Sequence, residues 1–169
     1  MRTVLAALVV LAGCVTVRSA TSPSADLARY RTFAWYTPAT ARGAALERSP
    51  AGELVRERIA RGLAARGIRE SPDRPDFFVA YDAELRPRLD VEDWGYPTVF
   101  WGAPPGPVTI DEYTQRTLAI DFSDARTGRI FWRGTATAVA EHPENPNPRE
   151  LAKAVDKVMK RYPAEVASR

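Results

Sequence analysis

The sequence contains little of the chemistry on which metal sites, nucleophilic enzymes and disulfide-stapled domains depend. Among its 169 residues there is one cysteine, Cys14, and one histidine, His142. A single thiol excludes a disulfide within one chain, so the hydrophobic core must stabilise the fold. His142 lies in a proline-rich turn without a second histidine or a close carboxylate cluster, and it therefore lacks the partners of a zinc site or of a serine-type triad. We interpret it as a surface turn residue.

Long apolar runs are also missing. The longest, from Val4 to Ala12, follows the single charge of Arg2. It is well short of the roughly 20 residues that a membrane-spanning helix needs, but it suits the apolar region of a secretory signal peptide. Apolar residues make up 45% and charged residues 27% of the chain, as in ordinary globular proteins, and this length accommodates one domain.

The end of this apolar run carries a recognisable signal. Leu11-Ala12-Gly13-Cys14 resembles the lipobox of bacterial lipoproteins, although a plain signal peptide with a chance cysteine is the alternative. The resemblance implies cleavage before Cys14, which then carries a diacylglycerol thioether and an acylated amino group. Several acyl chains anchor a protein stably, since each buried methylene contributes about 0.8 kcal/mol. In enteric bacteria, an Asp directly after the acylated cysteine retains a lipoprotein in the inner membrane. This chain has Val15 at that position, which favours the outer membrane, facing the periplasm.

The net charge of +3 has little functional weight. The arginines are scattered along the chain rather than gathered in a stripe, which is typical of a solvated surface. A secreted protein also does not meet the genome. We therefore expect the membrane, reached through Cys14, as a partner, and no nucleic acid.

Periodicity predicts the elements of the domain. Two alternating runs within residues 116–140, joined by a turn at 124–128, predict a β-hairpin whose second strand places one set of residues on a common face: Ile130, Trp132, Gly134, Ala136 and Ala138. The small residues of that set predict a helix packed closely against it, with Trp132 in the core. Further strands are predicted at 31–36 and 76–85, and the second of these places Phe77, Val79, Tyr81, Ala83 and Leu85 on one face.

Two amphipathic helices complete the prediction. One begins at Ser49-Pro50 and ends at Gly67, and the other begins with Asn147 as its cap and ends at Pro163. The expected fold is an α+β two-layer sandwich: a mainly antiparallel sheet of about four strands with both helices on one face, in the order β-α-β-loop-β-β-α. The predicted organisation is a signal peptide at 1–13, a flexible tether at 14–28, one domain at 29–163 and a tail at 164–169.

A long loop is predicted between residues 86 and 115, because its prolines and glycines interrupt regular structure. Its segment 94–107 contains four large aromatic residues, which are our candidate binding residues: Trp94, Tyr96, Phe100 and Trp101. They either pack back onto the sheet or stay exposed and bind an envelope protein, a glycan or the lipid surface, since rigid aromatic side chains anchor interfaces well.

An enzyme is the competing class. Four carboxylates, Asp82, Glu84, Asp90 and Asp93, could form the site of an envelope hydrolase if they gathered in one deep pocket. Asp90, Glu92 and Asp93 lack the glycine and the terminal glutamate of a calcium-binding loop. We assign no catalytic residue, metal site or cofactor from the sequence.

Three blocks carry a family resemblance, at residues 30–35, 75–81 and 118–134. Together they resemble the bacterial lipoproteins of the domain-of-unknown-function 4136 family, over roughly Tyr30 to Tyr162. The resemblance implies an envelope lipoprotein with a small α+β domain and an aromatic, glycine-rich insertion before the hairpin. It supplies no activity and no catalytic residues. The expected function is therefore that of a non-enzymatic, lipid-anchored binding or structural module.

Overall fold

The computed structural model describes residues 15–36, 46–93, 108–140 and 147–163, with the side chains of 90–93 and 108–111 left out of the description. These residues form one sheet and two helices of 15 and 12 residues. The strands are β1 (Thr16–Thr21), β2 (Thr32–Trp35), β3 (Arg69–Glu70), β4 (Phe77–Asp93), β5 (Val108–Asp124) and β6 (Ile130–Val139), and the helices are α1 (Pro50–Ala64) and α2 (Pro148–Met159). A single 3-10 turn, Leu27–Arg29, connects β1 with β2.

The six strands lie in the order β1-β6-β5-β4-β2-β3. Four of them, β1, β6, β5 and β4, pair antiparallel, whereas β2 is parallel to both β3 and β4. The α+β class is confirmed, but the predicted number of about four strands and the predicted element order are wrong, because β1 and β3 add to the sheet. No helix in the described residues has the length and apolar character needed to cross a bilayer.

The segment predicted as a tether contains an edge strand. β1 pairs with β6 from Thr16 opposite Thr137 to Thr21 opposite Trp132, and the Ser22 N–H continues the ladder by donating to the Phe131 carbonyl at 2.8 Å. The side chains of β1 are mostly exposed, so hydrophobic periodicity does not reveal this strand. Backbone hydrogen bonds to a neighbouring strand hold it in place, and they leave little trace in the sequence.

Both helices begin where the sequence predicts. The Ser49 hydroxyl accepts the Gly52 N–H at 3.1 Å at the start of α1, and the Asn147 side chain accepts the Arg149 N–H at 3.0 Å at the start of α2. Gly67 follows α1 with a φ of +74°, a conformation that residues with a Cβ rarely adopt.

The helices lie side by side and parallel on one face of the sheet. Contacts at successive positions show this: Arg58 pairs with Asp156 at 3.0 Å, Gly62 faces Met159, and the Arg66 guanidinium donates to the Tyr162 carbonyl at 3.1 Å. The largest fully buried side chains come from this face of the sheet and from the helices and loops over it: Trp132, Tyr162, Phe33, Phe77, Phe122, Ile59, Leu63, Ile68 and Ile120.

A β-bulge changes one end of the predicted hairpin. Phe122 pairs with Trp132 but Ser123 pairs with Ile130, so Phe131 is an extra residue in β6. The prediction that Ile130 shares the buried face of Trp132 is therefore wrong, and the Ile130 side chain is 49% exposed. Phe131 takes the buried place instead and stacks on Tyr30, with ring centroids 4.0 Å apart.

The close approach of a helix to β6 is confirmed at Gly134. An ideal Cβ at this position would lie 2.4 Å from Cγ1 of Val158 in α2 and 2.5 Å from Cη2 of Trp132. Such distances are far inside van der Waals contact, so α2 can rest on β6 only because residue 134 lacks a side chain.

Gly134→Ala is expected to lower the free energy of unfolding by about 1–3 kcal/mol, because the added methyl overpacks the helix-sheet contact. The sign is diagnostic, since Gly→Ala at an unstrained position usually stabilises a protein. Urea denaturation provides the measurement. Val158→Ala removes part of the clash. The free energy of unfolding lost in the double variant should therefore be smaller than the sum of the losses in the two single variants. Unchanged stability of Gly134→Ala would contradict the packing described.

Candidate functional site

The pairing of β4 with β5 continues well past the rest of the sheet. It runs without interruption from Phe77 opposite Asp124 to Asp93 opposite Val108. On the outer sides, β2 accompanies β4 only as far as Val79, and β6 accompanies β5 only as far as Gln115. Residues 87–93 and 108–114 therefore form a two-stranded ribbon, here called the arm, about 23 Å long at roughly 3.3 Å per residue.

The prediction of one long loop at 86–115 is wrong, because residues 86–93 and 108–115 are strand and only 94–107 lie between the two strands. Pro87 is one of the prolines that suggested a break. It pairs with Thr114 in a ribbon where β4 has no neighbour on its other side among the described residues. A proline is tolerated in such an edge strand because no partner there requires its missing N–H.

Three exposed apolar side chains lie where the arm leaves the sheet: Leu85 and Leu89 are on the face that carries the helices, and Val139 is on the other face. Leu85 is 47% exposed, Leu89 is 67% exposed and Val139 is 62% exposed, and these are three of the five large exposed apolar side chains in the described residues. Arg86 and Arg88 alternate with the two leucines. The Arg86 Nε lies 2.7 Å from the Glu84 carboxylate, and the Arg88 Nε donates to Gln115 at 3.2 Å.

A small apolar cavity lies at the base of the arm, between the sheet and the first turns of the two helices. Its volume is about 160 Å³. Pockets for drug-sized ligands are larger, on the order of 300–1,000 Å³. Leu85 lines this cavity and is also exposed, so the apolar surface continues from the cavity onto the arm. The other lining residues are Leu46, Ala51, Val55, Ala83, Glu84, Arg116, Leu118 and Leu151.

The N-terminal strand starts at this same end of the sheet. Thr16 pairs with Thr137, Thr137 with Thr117, and Thr117 with Glu84, so these residues form one row across four strands. The row lies just below the base of the arm. Val15, the residue before Thr16, therefore lies at the arm end of β1.

Most of the predicted site residues lie outside the described residues. This applies to Cys14, His142 and the four aromatic residues Trp94, Tyr96, Phe100 and Trp101. The two ends of segment 94–107 are Asp93 and Val108, the last paired residues of the arm.

The four candidate carboxylates are spread along one strand. Asp82 is exposed on the face of the sheet away from the helices, and the Glu84 carboxylate pairs with Arg86. Asp90 and Asp93 follow on the arm, and the stretch from Asp82 to Asp93 measures about 36 Å along an extended strand. A glycosidase pair must lie within about 10 Å, a spacing that Asp82 and Glu84, two residues apart on one face of β4, can meet but that the four carboxylates together cannot. In the described residues, no three His, Cys, Asp or Glu side chains are close enough to hold a metal ion.

The buried charged residue that sequence reasoning missed, Asp124, lies at the opposite end of the sheet. Its side chain is 5% exposed and sits at the turn between β5 and β6. One carboxylate oxygen accepts from the Arg29 guanidinium at 2.6 Å and the Tyr30 hydroxyl at 3.0 Å. The other accepts the Arg126 N–H at 3.1 Å and both the N–H and hydroxyl of Thr127, at 2.8 and 3.0 Å. An Asp followed by turn residues and Gly128 is a detectable signal for such a turn.

These contacts explain two shifted pKa values. Burial alone would raise the pKa of Asp124, but the hydrogen bonds from Thr127 and Tyr30 and the charge of Arg29 outweigh it and lower the pKa to about 2. Burial raises the pKa of Tyr30 to about 12, and its hydrogen bond to Asp124 adds to this. All of the donors come from the turn itself or from residues 29 and 30, so Asp124 fastens the segment after β1 to the hairpin.

Comparison with known proteins gives the family. The sequence profile described as domain of unknown function (DUF4136) matches residues 17–164, most of the chain. The chain belongs to this family. No curated protein matches the sequence of this DUF4136 domain. The matched range includes all of β1 except its first residue, Thr16, in agreement with the place of this strand in the sheet.

Solved structures share the fold of the DUF4136 domain. A PDZ domain protein from Parabacteroides distasonis is similar with a TM-score of 0.58 at 13% identity, over 88% of this chain and 36% of that one. The chain thus spans about a third of that protein. A PelC variant from Paraburkholderia phytofirmans, solved as a dodecamer, is similar with a TM-score of 0.51 at 20% identity, over 92% of this chain and all of that one. At these identities the likeness shows a common fold.

Asp124→Asn should destabilise the DUF4136 domain by about 2 kcal/mol at pH 7, because the pKa of Asp124 falls from an ordinary 3.8 to about 2 on folding. A lowered pKa stabilises the fold fully above pH 3.8, and this contribution is lost as the pH falls towards 2. The difference between wild type and variant, measured by urea denaturation, should therefore shrink between pH 4 and pH 2. Asp82→Asn, at an exposed position, is the matched control. An equal loss at every pH would refute the electrostatic origin.

Proposed function

We propose that this DUF4136 protein is a lipid-anchored protein of the bacterial cell envelope that acts as a non-enzymatic binding or structural module. The arm is the observation that carries the proposal. A ribbon of two paired strands extends from the sheet and leads directly into segment 94–107, where the sequence concentrates large aromatic residues. A ribbon whose two strands are already paired lowers the entropy lost when its end binds a partner, and aromatic side chains anchor interfaces.

The proposed anchor is acylated Cys14, with the protein on the outer membrane and facing the periplasm. The lipobox-like sequence Leu11-Ala12-Gly13-Cys14 supports this, together with Val15 in the position that sorting depends on. The proposed partners of segment 94–107 are an envelope protein, a glycan or the lipid surface.

The alternative of an envelope hydrolase gains no support from a specific observation. Its residues Asp82, Glu84, Asp90 and Asp93 lie along one extended strand, β4. The cavity near Glu84 is lined by seven apolar residues besides Glu84 and Arg116, and such a lining favours burial of apolar groups over acid-base chemistry.

Cys14→Ser is expected to abolish incorporation of labelled palmitate and to release the protein from the membrane fraction, because the thioether and the acylated amine both form on Cys14. The measurement is metabolic labelling followed by fractionation of cells. Thr16→Ser, two residues further along, is the matched control and should label normally. Undiminished labelling of Cys14→Ser would refute the anchor.

Trp94→Ala combined with Trp101→Ala is expected to abolish capture of envelope partners while leaving the thermal midpoint within a few degrees of wild type. Crosslinking and pull-down from intact cells measure the first, and calorimetry the second. Tyr36→Ala removes another exposed aromatic side chain, on β2's side of the sheet rather than on the arm, and should leave capture intact. A large fall in the midpoint of the tryptophan variant would instead show that these residues belong to the core.

A further inference from the structure

We propose that the outer edge of β1 is a docking site for an extended, acidic segment of another protein, which adds to the sheet as a further strand. The site is distinct from the arm and from segment 94–107, so the inference goes beyond the binding proposed above. It depends on described residues and does not require acylation of Cys14.

β1 presents backbone hydrogen-bonding groups at its outer edge. The Ser22 N–H donates to the Phe131 carbonyl of β6 at 2.8 Å. Because successive residues of a strand direct their backbone groups to opposite edges, Val17, Ser19 and Thr21 direct their N–H and C=O groups away from β6. β1 is the outermost strand, and in the described residues no strand pairs with this edge. An extended segment can therefore form hydrogen bonds along it.

Two other outer edges of the sheet carry features that discourage such pairing. β3 is only two residues long. In β4, the Tyr36 N–H donates to the Val79 carbonyl, so Pro87, which has the same parity, also faces outward and has no N–H to offer. Short strands and prolines are common ways of protecting a sheet edge. β1 has six residues, no proline and one charged side chain, Arg18, so its backbone is open to a partner strand.

The surroundings of this edge are positively charged. Arg18 is exposed on the face of the sheet away from the helices. On the helix face, α2 contacts β1, and its Asp156 pairs with Arg58 of α1 at 3.0 Å. Lys157 of α2 and Arg161 in the turn after it are exposed on the side away from α1, which is the side of β1. Arg18, Lys157 and Arg161 form no ion pair within the described residues.

These charges decide which occupant fits. A second copy of the chain, paired through its own β1, would bring two sets of the same cations to one junction, and like charges repel. An acidic segment would instead place carboxylates beside Arg18 on one face of the sheet or beside Lys157 and Arg161 on the other. Glu150 is on the same side of α2 but in its first turn, where its carboxylate accepts from the Asn147 amide at 3.4 Å. The edge therefore fits an acidic strand from a different protein.

The test measures binding of a capped, fluorescein-labelled peptide, Glu-Val-Glu-Thr-Glu-Val, to the purified full chain by fluorescence anisotropy. Ser19→Pro removes an outward N–H and leaves the hydrogen bonds between β1 and β6 in place. Ser19→Ala, which keeps that N–H, is the matched control. We expect wild type and Ser19→Ala to bind alike and Ser19→Pro to bind roughly tenfold more weakly, since one or two net hydrogen bonds are lost.

Charge reversal gives a second measurement that does not depend on proline. The same peptide with lysine in place of glutamate should not bind wild type. Arg18→Glu combined with Lys157→Glu should lose the glutamate peptide and gain the lysine peptide, because the attraction depends on the sign of the charges beside the edge. Calorimetry of each variant shows whether β1 is still in place.

Equal affinity of Ser19→Pro and Ser19→Ala, both with the thermal midpoint of wild type, would overturn the inference. So would equal affinity of wild type for the two peptides, or no binding of the glutamate peptide to wild type. A dimer that sediments as such and disappears in Ser19→Pro would assign the edge to a second copy and overturn it as well. Palmitate labelling of Cys14 and capture through segment 94–107 are separate measurements, so the failure of this inference leaves the proposed function standing.

Discussion

The unbroken pairing of β4 with β5 is the interaction on which both parts of the molecule depend. Because side chains alternate along paired strands, the register that buries Val79 opposite Phe122 also fixes which residues follow on that face. Further along the strand the same face carries Leu85. A shift of one residue would expose the core and bury the charges of the other face. The packing of the core therefore fixes the register of β4 against β5, and the arm has this same register.

The helical layer determines where the body ends and the arm begins. Both helices start near the base of the arm, and their first turns line the cavity with Ala51, Val55 and Leu151. Beyond these residues nothing in the described chain covers this face of the sheet. The apolar side chains along β4 are therefore buried beneath the helices and exposed beyond them. The close packing at Gly62 and Gly134 keeps this layer thin and fixed in position, since a side chain at Gly134 would push α2 away from β6.

The parts of the fold that follow from local chemistry were predictable. The caps at Ser49 and Asn147, the left-handed Gly67 and the small residue under α2 each have one physical cause that a short stretch of sequence displays. The parts that depend on distant backbone were not. β1 is held by hydrogen bonds to β6, the arm depends on where neighbouring strands stop, and the bulge places Phe131 against the ring of Tyr30. For the site, the sequence identified candidate residues but not the ribbon that leads to them.

The two ends of the sheet differ in what their side chains can still bind. At the turn end, five donors saturate the carboxylate of Asp124, and its low pKa keeps it ionised far below any physiological pH. A general acid or base needs a pKa near the working pH, so this buried carboxylate is tuned away from catalysis. At the arm end, leucines remain exposed and the cavity is apolar, which means that desolvation of this surface is still available as a source of binding free energy. The exposed leucines and the apolar cavity therefore support the proposal of binding at the arm end.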